Sequence, residues 1–214
     1  EHRYIANYIQ FKGYHSEINM LDELITTRVT SHIALKDVAN SIDQEGVIAA
    51  IRLANSALIS AGFARPKIGV AALNPHAGDN GNFGTEEIDV LAPAIRKAKK
   101  LQIDVDGPWP SDTVFLKAQN GDLDAVVTMY HDQGLIPIKL IGFESAVNIT
   151  LGAPFIRTSP DHGTAYDIVG KKNQSSEGII NSFKLVKKIS LNRNKYDNSK
   201  KIIGSKFSKR PKHN

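Results

Sequence analysis

Apolar positions along the chain fall into short β-branched runs separated by stretches of helical spacing. Ile25-Thr26-Thr27-Arg28-Val29-Thr30 has the first such run. Leu35 to Ala61 then carries apolar residues at helical spacing and stops at Gly62, which predicts one long helix with a glycine end. Lys67 to Leu73 and Asp124 to Tyr130 read as buried strands. Thr85-Glu86-Glu87 opens a helix to about Leu101, with a hydroxyl cap, acids in the first turn and Arg96, Lys97, Lys99 and Lys100 near its end. Gly107-Pro108-Trp109-Pro110 reads as a turn, and Ser111 or Asp112 as the cap of a short helix to Ala118. Gly134 to Leu140 fits either element. Ala146 to Leu151 and Phe155 to Arg157 are strand-like, and Asp161 to Val169 reads as a short helix. Ser175 to Leu191 is amphipathic, with Ile179, Ile180, Phe183, Val186 and Ile189 on one face. This alternation predicts an α/β fold, helices flanking a parallel or mixed sheet.

Composition narrows the functional classes. The 214 residues are 41% apolar, enough for a buried core, and contain no cysteine. That excludes disulfides, thiolate nucleophiles and cysteine-based metal sites. No apolar run approaches the roughly 18 residues needed to span a bilayer, so no membrane partner is expected and the reading is cytoplasmic. Glu1-His2-Arg3-Tyr4 is neither an initiator start nor a signal peptide, so the chain is expected to begin inside something longer or processed. The net charge of +5 hides an asymmetry. Residues 1–183 carry 16 Lys/Arg against 21 Asp/Glu, whereas residues 184–214 carry 11 basic residues and the single acid Asp197. With no aromatic platform or known module beside it, the basic end reads as a solvated, disordered tail over 192–214 rather than a nucleic-acid arm.

Three of the seven histidines share one setting. His32, His76 and His131 each lie at or just past the end of a predicted strand, the edge where open α/β sheets bind ligands. Three imidazoles there suit a divalent metal with an open position, although three unrelated loop histidines would look the same. Gly78-Asp79-Asn80-Gly81-Asn82-Phe83-Gly84 precedes the Thr85 helix and reads as a flexible turn or a phosphate loop; its spacing is not that of a dinucleotide fingerprint. Lys139, Asn148 and Arg157 follow at nine-residue steps, and Arg157 fits an anion clamp or a buried ion pair equally. Asp112 is a cap or a site acid. Asp132 adjoins His131 and could orient its imidazole or act on a substrate hydroxyl.

Taken as a set, several motifs resemble the 4-hydroxythreonine-4-phosphate dehydrogenase family of pyridoxal phosphate biosynthesis. They are Leu73-Asn74-Pro75-His76-Ala77-Gly78-Asp79, Gly107-Pro108-Trp109-Pro110-Ser111-Asp112, Met129-Tyr130-His131-Asp132-Gln133-Gly134, Val147-Asn148-Ile149-Thr150-Leu151-Gly152 and Pro154-Phe155-Ile156-Arg157-Thr158-Ser159-Pro160-Asp161-His162-Gly163-Thr164. The resemblance implies a fold like isocitrate and isopropylmalate dehydrogenases, with most of one of the two family domains absent and residues 1–191 forming the C-terminal, metal- and substrate-binding part. It implies a homodimer with a shared active site. His32, His76 and His131 match the metal ligands, one of them expected from the neighbouring subunit. His2, Asp112, Asp132, Lys139, Asn148 and Arg157 match substrate contacts, and Lys139 or Asp132 is the candidate for proton transfer. The implied cofactors are NAD or NADP and a divalent metal, zinc first, with magnesium, manganese or cobalt as alternatives. The implied reaction oxidises a phosphorylated hydroxy acid, with decarboxylation. Arg3 stands where the family carries a hydroxyl near the phosphate, which favours a paralogue acting on a 4-phospho-threonate or 4-phospho-erythronate. Two other readings stay open on the residues: a three-histidine metallohydrolase, and a truncated copy that keeps metal and phosphate binding without turnover.

Overall fold

A computed structural model describes residues 2–21, 24–152, 154–171 and 174–207, and the side chains of all of these except 2, 3, 167 and 193–207. The strands that read as unbroken apolar runs lie where burial on both faces requires them. β2 (Ile25–Arg28), β3 (Ile68–Ala71) and β5 (Ala125–Thr128) are buried at every position. With β1 (Ser16–Met20), β4 (Val105–Trp109), β6 (Val147–Leu151) and β7 (Arg157–Pro160) they form one seven-stranded sheet in the order β4-β3-β5-β2-β1-β6-β7. β4, β3, β5 and β2 are parallel. β1, β6 and β7 continue the sheet antiparallel. The α/β expectation with a mixed sheet therefore holds.

Helices cover the two faces differently. α3 (Gln44–Ala61), α4 (Ala92–Lys100) and α7 (Glu177–Phe207) share one face, where Val47, Ile51, Ile95, Val70, Val127 and Ile149 meet in the main core. α5 (Val114–Gln119) and α6 (His131–Gly142) cover the other face of the parallel half over Val126, Val114 and Ile138. α6 approaches so closely at Gly134 that a Cβ there would lie 2.9 Å from Thr128 Oγ1. The antiparallel half of that same face is polar. Cross-strand register aligns Thr26, Asn19, Asn148 and Ser159 in one row and Glu17, Thr150 and Arg157 in another. The row between them, Thr27, Ile18, Ile149 and Thr158, points to the α3 side, as the two-residue strand period demands.

Several elements depart from the sequence reading. The helix expected over Leu35–Ala61 is a 3-10 turn (Leu35–Asp37), a short α2 (Val38–Ser41) and then α3, because Ile42 is extended and Asp43 caps α3 through Gly46 N at 2.7 Å. Gly107-Pro108-Trp109 is part of β4, whose pairing with β3 shifts register between Gly69 and Ala71. The helix after Thr85 begins as a π turn (Glu87–Leu91), and Thr85 caps it with its carbonyl rather than its hydroxyl. Asp112 is not a cap: α5 starts after Thr113 without a side-chain cap. Only Tyr166–Ile168 is helical in the stretch from Asp161 to Val169, since left-handed Ala165 interrupts it and the Asp161 side chain bonds elsewhere. Gly134–Leu140 lies within α6, and α7 runs across the boundary expected at 191/192. α1 (His2–Tyr8) precedes β1.

Candidate active site

The three strand-end histidines stand on neighbouring parallel strands. His32 follows β2, His131 opens α6 directly after β5, and His76 follows β3. Buried polar side chains tie these ends together. Thr30 Oγ1 donates to Met129 O at 2.7 Å. Gln133 accepts from Met129 N at 2.6 Å and donates to Ala72 O at 2.8 Å.

His32 and His131 come within 5.1 Å, ring centre to ring centre, at the rim of a cleft of about 290 Å³ that Tyr130, Asp132 and Leu35 also line. His131 Nδ1 lies 2.6 Å from Asp132 Oδ1, and His32 Nδ1 lies 2.8 Å from Ser31 Oγ. His76 sits apart, 6.2 Å from the Phe83 ring, on a turn of the wrong hand. His76 through Asn80 all have φ between 43° and 81°, and only Gly78 is a glycine. Each left-handed non-glycine residue costs about 1–2 kcal/mol, so something must hold the turn. Buried Glu87 anchors the strand end that leads into it: Oε1 accepts from Leu73 N and Asn74 N, both at 2.8 Å, and Oε2 accepts from Asn74 Nδ2 at 2.9 Å. Within the glycine-rich segment, Phe83 N donates to Gly78 O at 3.1 Å and Asn82 N to Asp79 O at 3.2 Å.

The polar sheet face carries the remaining candidates. Arg157 Nη1 donates to Asn148 Oδ1 at 3.0 Å and to Thr150 Oγ1 at 3.4 Å. Lys139 Nζ lies 5.9 Å from the centre of the Phe143 ring. Asp161 is buried: burial pushes its carboxyl above the ordinary range, Lys139 and Arg28 pull it back, and Glu17 adds to the rise, leaving it raised. Asp161 Oδ1 accepts from Asn19 Nδ2 at 2.7 Å, while Oδ2 is buried without a hydrogen-bond partner among the described residues.

The family model described as pyridoxal phosphate biosynthetic protein PdxA matches residues 1–186. The chain belongs to the PdxA family. It is 51% identical over 162 residues to the 4-hydroxythreonine-4-phosphate dehydrogenase of Beijerinckia indica, covering 76% of this chain and 48% of that one. It is 50% identical over 164 residues to the D-threonate 4-phosphate dehydrogenase of Salmonella typhimurium LT2, covering 77% of this chain and 50% of that one. The crystal structure of 4-hydroxythreonine-4-phosphate dehydrogenase from Klebsiella pneumoniae superposes with a TM-score of 0.79 at 42% identity, covering 88% of this chain and 57% of that one. The chain thus spans about half the length of the curated PdxA relatives it matches.

Within this PdxA-family chain the structure brings together some predicted residues and separates others. His32, His131 and Asp132 are adjacent, as are Asn148 and Arg157. Asp112 is exposed on the turn before α5. The substrate-contact roles assigned to His2 and Arg3 concern side chains outside the described residues. Two imidazoles that engage neighbours through Nδ1 fit a divalent ion as part of its donor set, since ligating histidines are oriented through the other ring nitrogen. Among the described residues no group of three His, Asp or Glu could hold a metal ion. Sequence reading missed Glu17, Asn19, Arg28, Glu87 and Gln133. Arg28, a charge inside a β-branched run, was the one visible signal; the others show only through contacts across the fold.

Proposed function

We propose that this chain forms the metal- and substrate-binding part of an NAD(P)-linked dehydrogenase of 4-phosphorylated hydroxy acids, 4-hydroxythreonine 4-phosphate or a 4-phospho-threonate or erythronate. The relatives' names support the substrate class. The observation that carries the reading is the polar sheet face, where Asn148 holds Arg157, Lys139 lies close enough to pull down the Asp161 carboxyl, and Asn19, the strand neighbour of Asn148, starts a hydrogen-bonded chain through Arg28 and Ser31 to His32. Arg157 offers a fork for phosphate or carboxylate, with Asn148 holding the guanidinium. Such a clamp aligns the substrate C–H for hydride transfer to the nicotinamide. The hydroxyl proton passes to Lys139 or Asp132. His32, His76 and His131 would hold the divalent ion, zinc, magnesium, manganese or cobalt, with the set completed across a homodimer. An ion held there would supply Lewis acidity, which would lower the hydroxyl pKa and polarise the product carbonyl in favour of CO2 loss from a β-keto acid.

Titration calorimetry with each phosphorylated acid and its unphosphorylated counterpart tests the anion clamp, and nicotinamide reduction tests turnover. Arg157→Ala is expected to weaken every phosphorylated acid by roughly 10- to 150-fold, the equivalent of about 1.5–3 kcal/mol for a charge-assisted bond. Arg3→Thr is expected to weaken the phospho-sugar acids selectively. Equal affinity for phosphorylated and unphosphorylated acids would sink the assignment.

A further inference from the structure

Among the described residues the polar sheet face carries three cations, Arg28, Lys139 and Arg157, and two acids, Glu17 and Asp161. Glu17 is committed to Arg28 by an ion pair. Arg28 Nη1 also donates to Asn19 Oδ1 at 2.6 Å. A guanidinium only donates, so the Asn19 amide has one permitted orientation, with Nδ2 turned to Asp161 Oδ1 at 2.7 Å. Oδ1 is thereby fixed as an acceptor, whether Asp161 is charged or neutral. Oδ2 is buried without a hydrogen-bond partner among the described residues, and the Asp161 N–H is tied to Ala146 O at 3.0 Å. A proton arriving at Asp161 therefore belongs on Oδ2, where it breaks no bond. A buried neutral acid also costs less than a buried carboxylate with one bare oxygen. The charges that act on Asp161 are Lys139 from α6, Arg28 from β2 and Glu17 from β1. Arg157 lies four residues before it and so on the same face. α7 meets β7 from the opposite face, where Thr158 Oγ1 donates to Ser182 O at 2.9 Å.

The charge balance reverses when an anion arrives. With the face empty, cations outnumber acids by one; a phosphate or sulfate dianion at Lys139 and Arg157 puts the excess on the other side. Uncompensated charge in such a setting is costly. One proton on Asp161 restores neutrality, whereas Glu17 could take it only by giving up Arg28. We infer that Asp161 couples the anion clamp to proton uptake: it takes a proton on Oδ2 as an anion engages Lys139 and Arg157, and releases it as the anion leaves. Burial already holds this carboxyl above the ordinary range and Lys139 draws it back, so an anion that occupies Lys139 offsets that draw. The inference rests on the proposed function in taking Lys139 and Arg157 as the seat of the anion. Sodium sulfate is the probe, because it stays doubly charged throughout the titration and carries no proton of its own. The full chain labelled with 13C-aspartate is titrated with pH, in sulfate and in chloride at equal ionic strength, and the Asp161 carboxyl carbon is followed by NMR. Its midpoint is expected to lie higher in sulfate. By reciprocity, sulfate affinity should fall by roughly 5-fold or more as pH rises through the two midpoints, while Asp161→Asn keeps the tighter value throughout. Should Asp161→Asn fail to fold, the two wild-type midpoints decide. Equal midpoints in sulfate and chloride, with sulfate binding that Arg157→Ala weakens, would overturn the coupling and leave the clamp standing. Sulfate binding that neither Arg157→Ala nor Lys139→Ala alters would remove the clamp, and the coupling with it.

Discussion

At the scale of the residue, Asp161 makes the energetic cost of the polar face measurable. Its buried carboxyl holds a proton more tightly in the folded chain than in the unfolded one, with burial as the main cause. Between the ordinary aspartate value of about 3.9 and the raised folded value, the native state binds more protons. Stability therefore falls as pH rises through that window and stays at the lower level above it. Asp161→Asn lacks this contribution. Urea midpoints over a pH series should shift in favour of the variant, relative to wild type, as pH rises through the window. Parallel curves for the two proteins would mean that Asp161 ionises as it does in the unfolded chain.

At the scale of the element, the contact of α6 with β2 and β5 sets helix propensity against packing. Alanine is favoured over glycine inside a helix by about 1 kcal/mol. At Gly134, however, the new methyl would meet Thr128 Oγ1 at 2.9 Å and Thr26 Oγ1 at 3.4 Å, and overpacking costs about 1–3 kcal/mol. Gly134→Ala should therefore lose up to about 2 kcal/mol net, read by chemical denaturation; a gain would show that α6 can lift without cost. The buried strands β2, β3 and β5 and the helices α3, α4 and α7 were legible because each carries its period within its own residues. β1 and β4 were not: one is a short mixed segment, and the other is punctuated by Gly107-Pro108, so partners across the sheet define both. The strand-end placement of His32, His76 and His131 was legible for the same local reason. The Arg28, Gln133 and Glu87 bonds that brace those ends join residues up to 61 positions apart, and apart from the charge of Arg28 inside a β-branched run no local pattern announces them.

At the scale of the molecule, the sheet changes character at the β2–β1 seam, from parallel and apolar on both faces to antiparallel with one polar face. One copy pairs His32 with His131 and leaves His76 on its own turn. On the proposed reading, sites are completed between copies. His76→Ala and His131→Ala proteins refolded together should then form some mixed dimers with one intact site. Metal content measured under limiting metal should exceed that of either variant alone. Mixed dimers without that recovery would place all ligands of each site on a single chain.

The reversed turn at His76–Asn80 changes how mutational surveys of this chain should be interpreted. Elsewhere alanine is the cautious replacement, because it removes a side chain and leaves the backbone content. Within these five residues the backbone itself disfavours any Cβ, and a scan by alanine mixes two losses. Asp79→Ala and Asn80→Ala trade types that tolerate this hand for one that does not, and would score as damaging even if their side chains touch nothing. Glycine reverses the bias by accepting this hand without strain, so a loss of binding that survives His76→Gly belongs to the imidazole and not to backbone strain.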